Sequence, residues 1–361
     1  MTSIQRRTVY RAAALAVLAV VGAGIPASQA APAKKAAARK AAQPAKKPPK
    51  LIREVLGTTQ LQGYEGRVGE TFTLGKNMPF NFTLRSAEYS VSRVNFGGTT
   101  YFPKGDEKML VLRFTVQNPT SRIFNYTYSY IKFTAVDSTG VSREHVGDVA
   151  REVTNQTGTF PLNPGQKIDV YTTIRVAAFG AVPKLIVRPA YETEAPIVRY
   201  DLRNVAKKLP APFSESKDPA TALKTVPAKS GVFYPVTDLF DMKLDSVEYS
   251  EEPMANRELK KDYRYCFAKF TIKNRGPRPA RYGYSYFRAD LKDADGEKTE
   301  YNTSILKASR DEESSGELAP GEEARIRFYF AVPKSIDAKT VLVQYGYDRE
   351  SRTYAFAVPA K

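Results

Sequence analysis

Apolar and polar residues alternate along several stretches of this 361-residue chain. Leu110, Leu112, Phe114 and Val116 alternate with Val111, Arg113 and Thr115, and Cys266, Ala268, Phe270 and Ile272 occupy matching positions later in the chain. Residues 168–176 and 324–332 show the same pattern. A period of two places every second side chain on one face, so each stretch predicts a half-buried β-strand with Cys266 pointing inward.

Turn-forming sequences separate these stretches. These sequences are DSTG at residues 137–140, NPG at 163–165, DADG at 293–296 and APG at 319–321. Asp, Asn, Pro and Gly in such clusters favour tight turns, and no stretch of ten residues in this part shows a helical apolar period. Short strands with regular turns predict an all-β fold made of antiparallel β-sandwiches.

The chain also contains an internal duplication. FTVQN at 114–118 recurs as FTIKN at 270–274, YTYSY at 126–130 as YGYSY at 282–286, and LNPG at 162–165 as LAPG at 318–321, all 156 positions apart. Tyr191 matches Tyr347 in the same register, and LRSAEYS at 84–90 matches LDSVEYS at 244–250 at an offset of 160. Two copies of this length predict a tandem pair of domains.

The N-terminal fifty residues differ in composition from the rest. They hold ten of the 55 basic residues and no acidic residue, so most of the formal net charge of +17 lies there. Residues 1–30 have a basic start, a 14-residue apolar run and small residues before Ala31, which predicts a secretory signal cleaved after Ala30. A retained anchor is the alternative, and the pair Arg6-Arg7 leaves twin-arginine export open beside the general route.

Residues 31–50 are a mixture of Ala, Lys and Pro, which predicts a disordered basic linker. Its positive charges would attract an anionic envelope polymer, or the segment would serve only as a solvated spacer. The candidate anion-binding residues of this tail are Lys34, Lys35, Arg39, Lys40, Lys46, Lys47 and Lys50. We predict the first sandwich over residues 51–204, a Pro-, Ala-, Lys- and Ser-rich linker over 205–230, and the second sandwich over 231–361.

The order of these motifs resembles a known family. A strand ending in FTVQN or FTIKN, an aromatic segment, DSTG or DADG, LNPG or LAPG and a closing strand are similar to an immunoglobulin-like domain of unknown function in secreted bacterial proteins and lipoproteins. The mycobacterial immunoprotective extracellular antigen has a similar sandwich. The resemblance implies two tandem immunoglobulin-like β-sandwiches and carries no catalytic residues, and Ala31 stands where lipoprotein members have a Cys.

Composition limits the chemistry that the chain can perform. The single Cys and the single His exclude an internal disulfide framework and multi-thiolate or multi-His metal sites. We interpret His145 as a surface or edge-strand residue rather than a catalytic one, and Cys266 as a buried structural thiol. Asp293, Asp295 and Glu297 could offer oxygens to calcium, but copy one keeps only Asp137 and Thr139 there, so a hairpin turn is preferred.

Tyrosines provide the candidate partner-binding aromatic face. They stand two positions apart, which on a strand would place them on one face. If that face is exposed, it would bind glycans or a protein partner; if it faces inward, it forms part of the core. These residues are Tyr126, Tyr128, Tyr130, Tyr282, Tyr284 and Tyr286.

The sequence therefore predicts an exported, non-enzymatic envelope-associated binding or scaffolding protein that uses no cofactor. The alternative is a binder of anionic envelope polymers that acts mainly through the basic tail. The partner is an unidentified protein or polymer; neither nucleic acid nor a transmembrane helix after signal cleavage is expected, and the oligomeric state is left open.

Overall fold

The computed structural model describes residues 63–254, 257–300 and 304–358. The predicted signal peptide and the basic tail lie outside the described residues. In the part of the chain that is described, no helix is long and apolar enough to cross a membrane.

The first sandwich is built from short and medium strands in which buried and exposed residues alternate. In chain order the strands are β1 (Gly63–Glu65), β2 (Thr71–Leu74), β3 (Phe80–Ser90), β4 (Val94–Phe96), β5 (Thr99–Tyr101), β6 (Glu107–Gln117), β7 (Phe124–Tyr126), β8 (Ile131–Val136), β9 (Ser142–Glu144), β10 (Ala150–Arg151), β11 (Phe160–Leu162), β12 (Lys167–Ala177), β13 (Lys184–Pro189) and β14 (Ile197–Tyr200). A single 3₁₀ turn, Tyr128–Tyr130, separates β7 from β8.

In its described residues, the second sandwich repeats this order without a counterpart of the β4–β5 hairpin. Its strands are β15 (Thr225–Ala228), β16 (Tyr234–Pro235), β17 (Phe240–Ser250), β18 (Tyr263–Asn274), β19 (Ala280–Tyr282), β20 (Phe287–Lys292), β21 (Lys298–Glu300), β22 (Leu306–Lys307), β23 (Gly316–Leu318), β24 (Glu323–Pro333), β25 (Thr340–Tyr345) and β26 (Thr353–Ala357). The 3₁₀ turn Tyr284–Tyr286 precedes β20.

The two sandwiches share one topology. Sheets of order β1-β14-β13-β8-β9 and β10-β12-β6-β3-β2 form the first, and β15-β26-β25-β20-β21 and β16-β17-β18-β24-β22 form the second. Pairing is antiparallel except where β1 joins β14 and β15 joins β26 in parallel. The register shift after Leu84 recurs after Leu244. The predicted duplication and the prediction of two tandem immunoglobulin-like β-sandwiches are confirmed.

Each core lies between its two sheets. Phe114 and Phe133, from opposite sheets of the first sandwich, have ring centroids 4.9 Å apart. In the second sandwich, the ring centroids of Phe270 and Phe356 are 5.3 Å apart across the two sheets. The inward residues predicted on β6 and β18 are fully buried, Cys266 among them. The turn glycines, such as Gly140 and Gly321, have φ values of 81° and 84°, which glycine adopts without strain.

Residues 205–230, predicted from their composition to be a linker, pack against the sandwiches. Leu209, Ala220 and Ala222 are buried against the core of the first sandwich, and Phe213 packs against both cores. The last part of segment 205–230 forms β15, so the second sandwich begins before residue 231. β15 is the counterpart of β1. The apolar residues scattered among the prolines and lysines explain the difference, because packing them removes their surface from water.

Hydrogen bonds join the two sandwiches, which lie within one compact unit. Arg352, 1% exposed, donates from Nε to the Leu223 oxygen and from Nη2 to the oxygens of Gly105 and Glu107. Arg93 donates to the oxygens of Thr237 and Asp238 and to Oδ1 of Asp241. These two guanidinium groups donate to backbone oxygens across the junction. Without them, those oxygens would need water as a hydrogen-bond partner.

Candidate functional site

The six tyrosines do not share one face of a strand. β7 ends at Tyr126, which is fully buried, and β19 ends at the half-buried Tyr282. The chain then enters a 3₁₀ turn in each sandwich. Three residues per turn replace the period of two, so alternate tyrosines no longer point the same way. Tyr128 and Tyr284 are exposed, whereas Tyr130 and Tyr286 are half-buried against the cores.

The end of the neighbouring strand brings another tyrosine to each turn. The Ala190 N–H, just after β13, donates to the Tyr130 oxygen, and the Gly346 N–H, just after β25, donates to the Tyr286 oxygen; both distances are 2.9 Å. The residues that follow are Tyr191 and Tyr347, which are 72% and 62% exposed. Each therefore lies over a half-buried tyrosine while keeping most of its surface in water.

The same edge-to-face geometry occurs in both sandwiches. The rings of Tyr130 and Tyr191 are 6.0 Å apart at 84°, and those of Tyr286 and Tyr347 are 5.0 Å apart at 78°. This arrangement is favoured by the ring quadrupoles and fixes the outer ring in place. We call the Tyr130–Tyr191 pair the first tyrosine patch and the Tyr286–Tyr347 pair the second tyrosine patch.

The surroundings of the first patch are apolar. Met78, Phe80 and Pro189 lie around Tyr130 and Tyr191 in a depression of about 20 Å³. That volume is far below the roughly 300–1,000 Å³ of small-molecule sites, so the patch offers a contact surface and not a ligand pocket. Glu192 holds the loop that carries Met78, because its carboxylate accepts the N–H of Lys76, Asn77 and Met78.

The surroundings of the second patch are more polar and include a further tyrosine. Tyr345 occupies the position of Pro189, and its ring lies 5.8 Å from that of Tyr347. Asp238, at the position of Met78, interacts with the Tyr345 hydroxyl, and burial raises the pKa of its carboxyl. The hydroxyl of Tyr347 is 2.7 Å from Oγ of Ser285. The two patches therefore have the same geometry but different chemistry.

The outer residues of both patches, and two neighbours of the second patch, were not among the sequence candidates. Tyr191, Tyr347, Tyr345 and Asp238 lie far along the chain from the YTYSY and YGYSY segments, and only strand pairing brings them near. The matching of Tyr191 with Tyr347 in the duplication was the signal that could have identified the outer pair. The candidate anion-binding tail lies outside the described residues.

The remaining chemical candidates have structural surroundings. His145 is half-buried beside Phe133, whose N–H lies 3.4 Å from Nδ1 of the imidazole, and burial lowers the pKa of His145. Asp293 accepts the N–H of Glu297 in a turn, as preferred from the sequence. Among the described residues, no group of three or more His, Cys, Asp or Glu side chains is placed to hold a metal ion.

Comparison with known proteins adds a domain family. Residues 236–351 match the sequence model of DUF4352, a domain of unknown function. No curated protein matches the chain. The match lies within the second sandwich and confirms the resemblance to a domain of unknown function.

Solved structures similar to this chain include three bacterial proteins. An uncharacterized β-sandwich protein from Clostridium difficile 630 is 17% identical over 37% of this chain and 96% of its own, with a TM-score of 0.27. MPT63, a secreted protein from Mycobacterium tuberculosis, is 15% identical over 36% of this chain and 97% of its own, with a TM-score of 0.29. The yjhA protein from Bacillus subtilis is 15% identical over 36% and 99%, with a TM-score of 0.27.

Proposed function

We propose that this protein is an exported, non-enzymatic binding or scaffolding protein of the cell envelope that contacts a protein partner through its two tyrosine patches. The observation that carries the proposal is the repeated edge-to-face pair, in which Tyr191 and Tyr347 are both more than 60% exposed. The signal-like composition of residues 1–30 supports export.

The geometry of the patches suits recognition. Tyrosine supplies a large rigid surface with few rotatable bonds and is enriched among residues that dominate binding energy. Each outer ring is held by an inner ring, so little side-chain entropy is lost when a partner docks. Met78 and Pro189 extend the apolar surface beside Tyr191, which favours the side chains of a protein partner.

Two patches on one chain would act together. Because both sandwiches lie within one compact unit, a partner that offers two contact points would bind the second patch intramolecularly. The different neighbours of the two patches, Met78 and Pro189 against Asp238 and Tyr345, would let each patch select a different part of the partner.

The basic tail supports a second candidate function. Residues 31–50 carry seven basic residues and no acidic one, a composition that attracts an anionic polymer such as cell-wall phosphate or carboxylate. Binding of this kind weakens steeply with added salt, whereas binding through tyrosine rings is largely independent of salt. The two candidates therefore predict different behaviour in one experiment.

We would measure co-sedimentation of the protein with purified envelope material at low and high salt. The Tyr191→Ser/Tyr347→Ser double variant should reduce salt-resistant binding by about tenfold or more, as expected for central aromatic contacts. Phe179→Ser, which removes an aromatic ring that is 66% exposed outside the patches, is the matched control and should bind normally.

A variant lacking residues 31–50 separates the candidates. If its binding equals that of the full chain while the double tyrosine variant fails to bind, the patches carry recognition. If salt releases the protein and only the variant lacking residues 31–50 fails to sediment, the tail is responsible and the proposal for the patches is wrong.

A further inference from the structure

Three aromatic rings pack against one another at the second tyrosine patch. Tyr286 and Tyr345 lie roughly parallel, with ring centroids 6.0 Å apart and planes at 28°. Tyr347 stands nearly perpendicular to both, 5.0 Å from Tyr286 at 78° and 5.8 Å from Tyr345 at 87°. The face of an aromatic ring carries partial negative charge and attracts cations. Because the Tyr347 side chain is mostly exposed, the cluster offers such a surface to a ligand.

A carboxylate lies beside these rings without a cation of its own. Asp238 interacts with the Tyr345 hydroxyl, and its charge also acts on Tyr286. Oδ1 of Asp238 is shielded from solvent and makes no hydrogen bond of good geometry. Among the described residues, no Lys, Arg or His nitrogen lies within salt-bridge distance of this carboxylate. A partly buried negative charge in this position gains from a ligand that brings a cation.

Arg93 does not form an ion pair with this carboxylate. Its charge acts on Asp238 from a distance, but its nitrogens are used by other groups. Nε donates to the backbone oxygen of Asp238, Nη2 donates to that of Thr237, and Nη1 pairs with Oδ1 of Asp241 at 2.7 Å. Arg275 pairs with the other carboxylate oxygen of Asp241 at 3.2 Å. Both guanidinium groups are therefore bound to Asp241 rather than to the Asp238 side chain.

Elsewhere the chain supplies its own cation to a tyrosine ring beside a carboxylate. The Tyr101 hydroxyl donates to Oδ2 of Asp148 at 2.6 Å, and the guanidinium group of Arg175 lies 5.8 Å from the centre of the Tyr101 ring. Arg264 lies over the ring of Tyr249 at 4.0 Å. In the described part of the chain, no Lys or Arg lies over the three rings of the second patch. That patch therefore has the rings and the carboxylate but not the cation.

We propose that the second tyrosine patch binds the ammonium group of a lysine side chain on the protein partner. The ammonium group lies against the exposed ring of Tyr347 and pairs with the carboxylate of Asp238. A lysine suits this site because its long apolar stem packs on the tyrosine rings while its charge meets the carboxylate. This inference rests on the proposed function, because it names the group that the patch takes from the partner.

The first tyrosine patch lacks the features that attract a cation. Met78 stands at the position of Asp238, and Pro189 stands at that of Tyr345. The carboxylate beside the first patch, that of Glu192, already accepts three backbone N–H groups. The two patches should therefore respond differently to a cation, and the first patch serves as an internal control.

We would titrate the full chain, with isotope-labelled tyrosine rings, with n-butylammonium and follow the ring signals by NMR. This probe reproduces the end of a lysine side chain. The signals of Tyr347, identified by their loss in Tyr347→Ser, should shift as the probe binds, and those of Tyr191 should not. N-Butylacetamide, which has the same carbon chain without the charge, should bind at least about tenfold more weakly.

Asp238→Asn tests the carboxylate directly. It should weaken binding of butylammonium by about tenfold, the effect of losing one charge-assisted hydrogen bond. Asp148→Asn is the matched control, because it makes the same change at a carboxylate that accepts a tyrosine hydroxyl outside the patches. It should leave the titration of Tyr347 unchanged. The neutral probe requires no variant, so the need for a charge is tested even if Asp238→Asn fails to fold.

The same titrations can overturn the inference. It is wrong if butylammonium leaves the Tyr347 signals unchanged, or if N-butylacetamide binds as tightly as butylammonium. Equal losses in Asp238→Asn and Asp148→Asn would also contradict it, because they would show that the lost charge acts from any position.

These outcomes are distinct from those of the envelope experiment. If butylammonium binds as expected but Tyr191→Ser/Tyr347→Ser still sediments with envelope material, the cation site stands and the proposed function is wrong. If the double variant fails to sediment but butylammonium does not bind to the wild type, the proposed function stands and the lysine contact is wrong.

Discussion

Lys108 is a lysine with no exposed surface in the first sandwich. Its Nζ donates to the backbone oxygens of Ala178, Gly180 and Ala220 and lies 4.6 Å from the centre of the Tyr89 ring. Ala220 belongs to the segment between the sandwiches, so this one ammonium group holds that segment against the first sandwich. Burial nevertheless disfavours the charged form and lowers the pKa of Lys108 to about 8.

This lowered pKa predicts how stability changes with pH. In the unfolded chain the lysine keeps a pKa near its ordinary 10.5, so between about pH 8 and 10.5 the unfolded state binds more protons than the folded state. The free energy of unfolding should therefore rise with pH in that window, by up to about 1.4 kcal/mol per pH unit. Urea unfolding from pH 7.5 to 10 should show this rise in the wild type and in Lys167→Met, an exposed control on β12. Lys108→Met should lack it, and equal slopes in all three proteins would contradict the assignment.

At the scale of the elements, Gly346 allows the close packing on which the second tyrosine patch depends. A Cβ on Gly346 would lie 2.2 Å from the Ser285 oxygen, so β25 and the 3₁₀ turn Tyr284–Tyr286 approach too closely for any side chain. Such a clash is relieved only by moving backbone, which typically costs about 1–3 kcal/mol. The first sandwich has Ala190 at this position, consistent with its wider ring separation of 6.0 Å against 5.0 Å.

Gly346→Ala should therefore lower the free energy of unfolding by about 1–3 kcal/mol and separate Tyr347 from Tyr286. Urea unfolding measures the first effect, and the near-ultraviolet circular dichroism of the tyrosines reports the second. The control is Gly283→Ala, because a Cβ there would meet its nearest atom, Cβ of Ser315, at 4.0 Å and the backbone is extended. If both variants unfold alike, the close approach does not determine the patch.

The elements that the sequence predicted are those whose pattern is local. The period of two identified β6 and β18, and the Asn at the end of FTVQN and FTIKN proves to be structural. Asn118 and Asn274 are fully buried, and their Nδ2 groups donate to the oxygens of Leu162 and Leu318. The features that composition and spacing did not predict depend on residues that are distant in the sequence. The segment 205–230 has the composition of a linker but is packed against the sandwiches, and each tyrosine patch pairs residues that are more than sixty positions apart.

At the scale of the whole molecule, the two sandwiches unfold together only if the contacts between them are strong enough to couple their unfolding. Arg352 and Arg93 provide many of these contacts, since each makes three hydrogen bonds to groups of the other sandwich or of segment 205–230. The N–H of Gly105 adds a bond of 2.8 Å to the Glu350 oxygen, beside Arg352. A fixed connection would hold the two tyrosine patches at a constant separation, which is what a partner with two contact points requires.

Removing both guanidinium groups should uncouple the sandwiches. In the Arg93→Met/Arg352→Met variant several buried backbone oxygens lose their donors, each at a cost of about 1–3 kcal/mol, while the two cores between the sheets are unchanged. We expect the wild type to unfold in one calorimetric transition and the double variant to unfold in two, because each sandwich has its own core. Arg203→Met, at an arginine paired with Asp201 on the surface, should leave the single transition intact. A single transition in the double variant, with equal calorimetric and van't Hoff enthalpies, would contradict this role of the arginines and show that the remaining contacts, among them the packed segment 205–230 and the Gly105–Glu350 bond, couple the sandwiches.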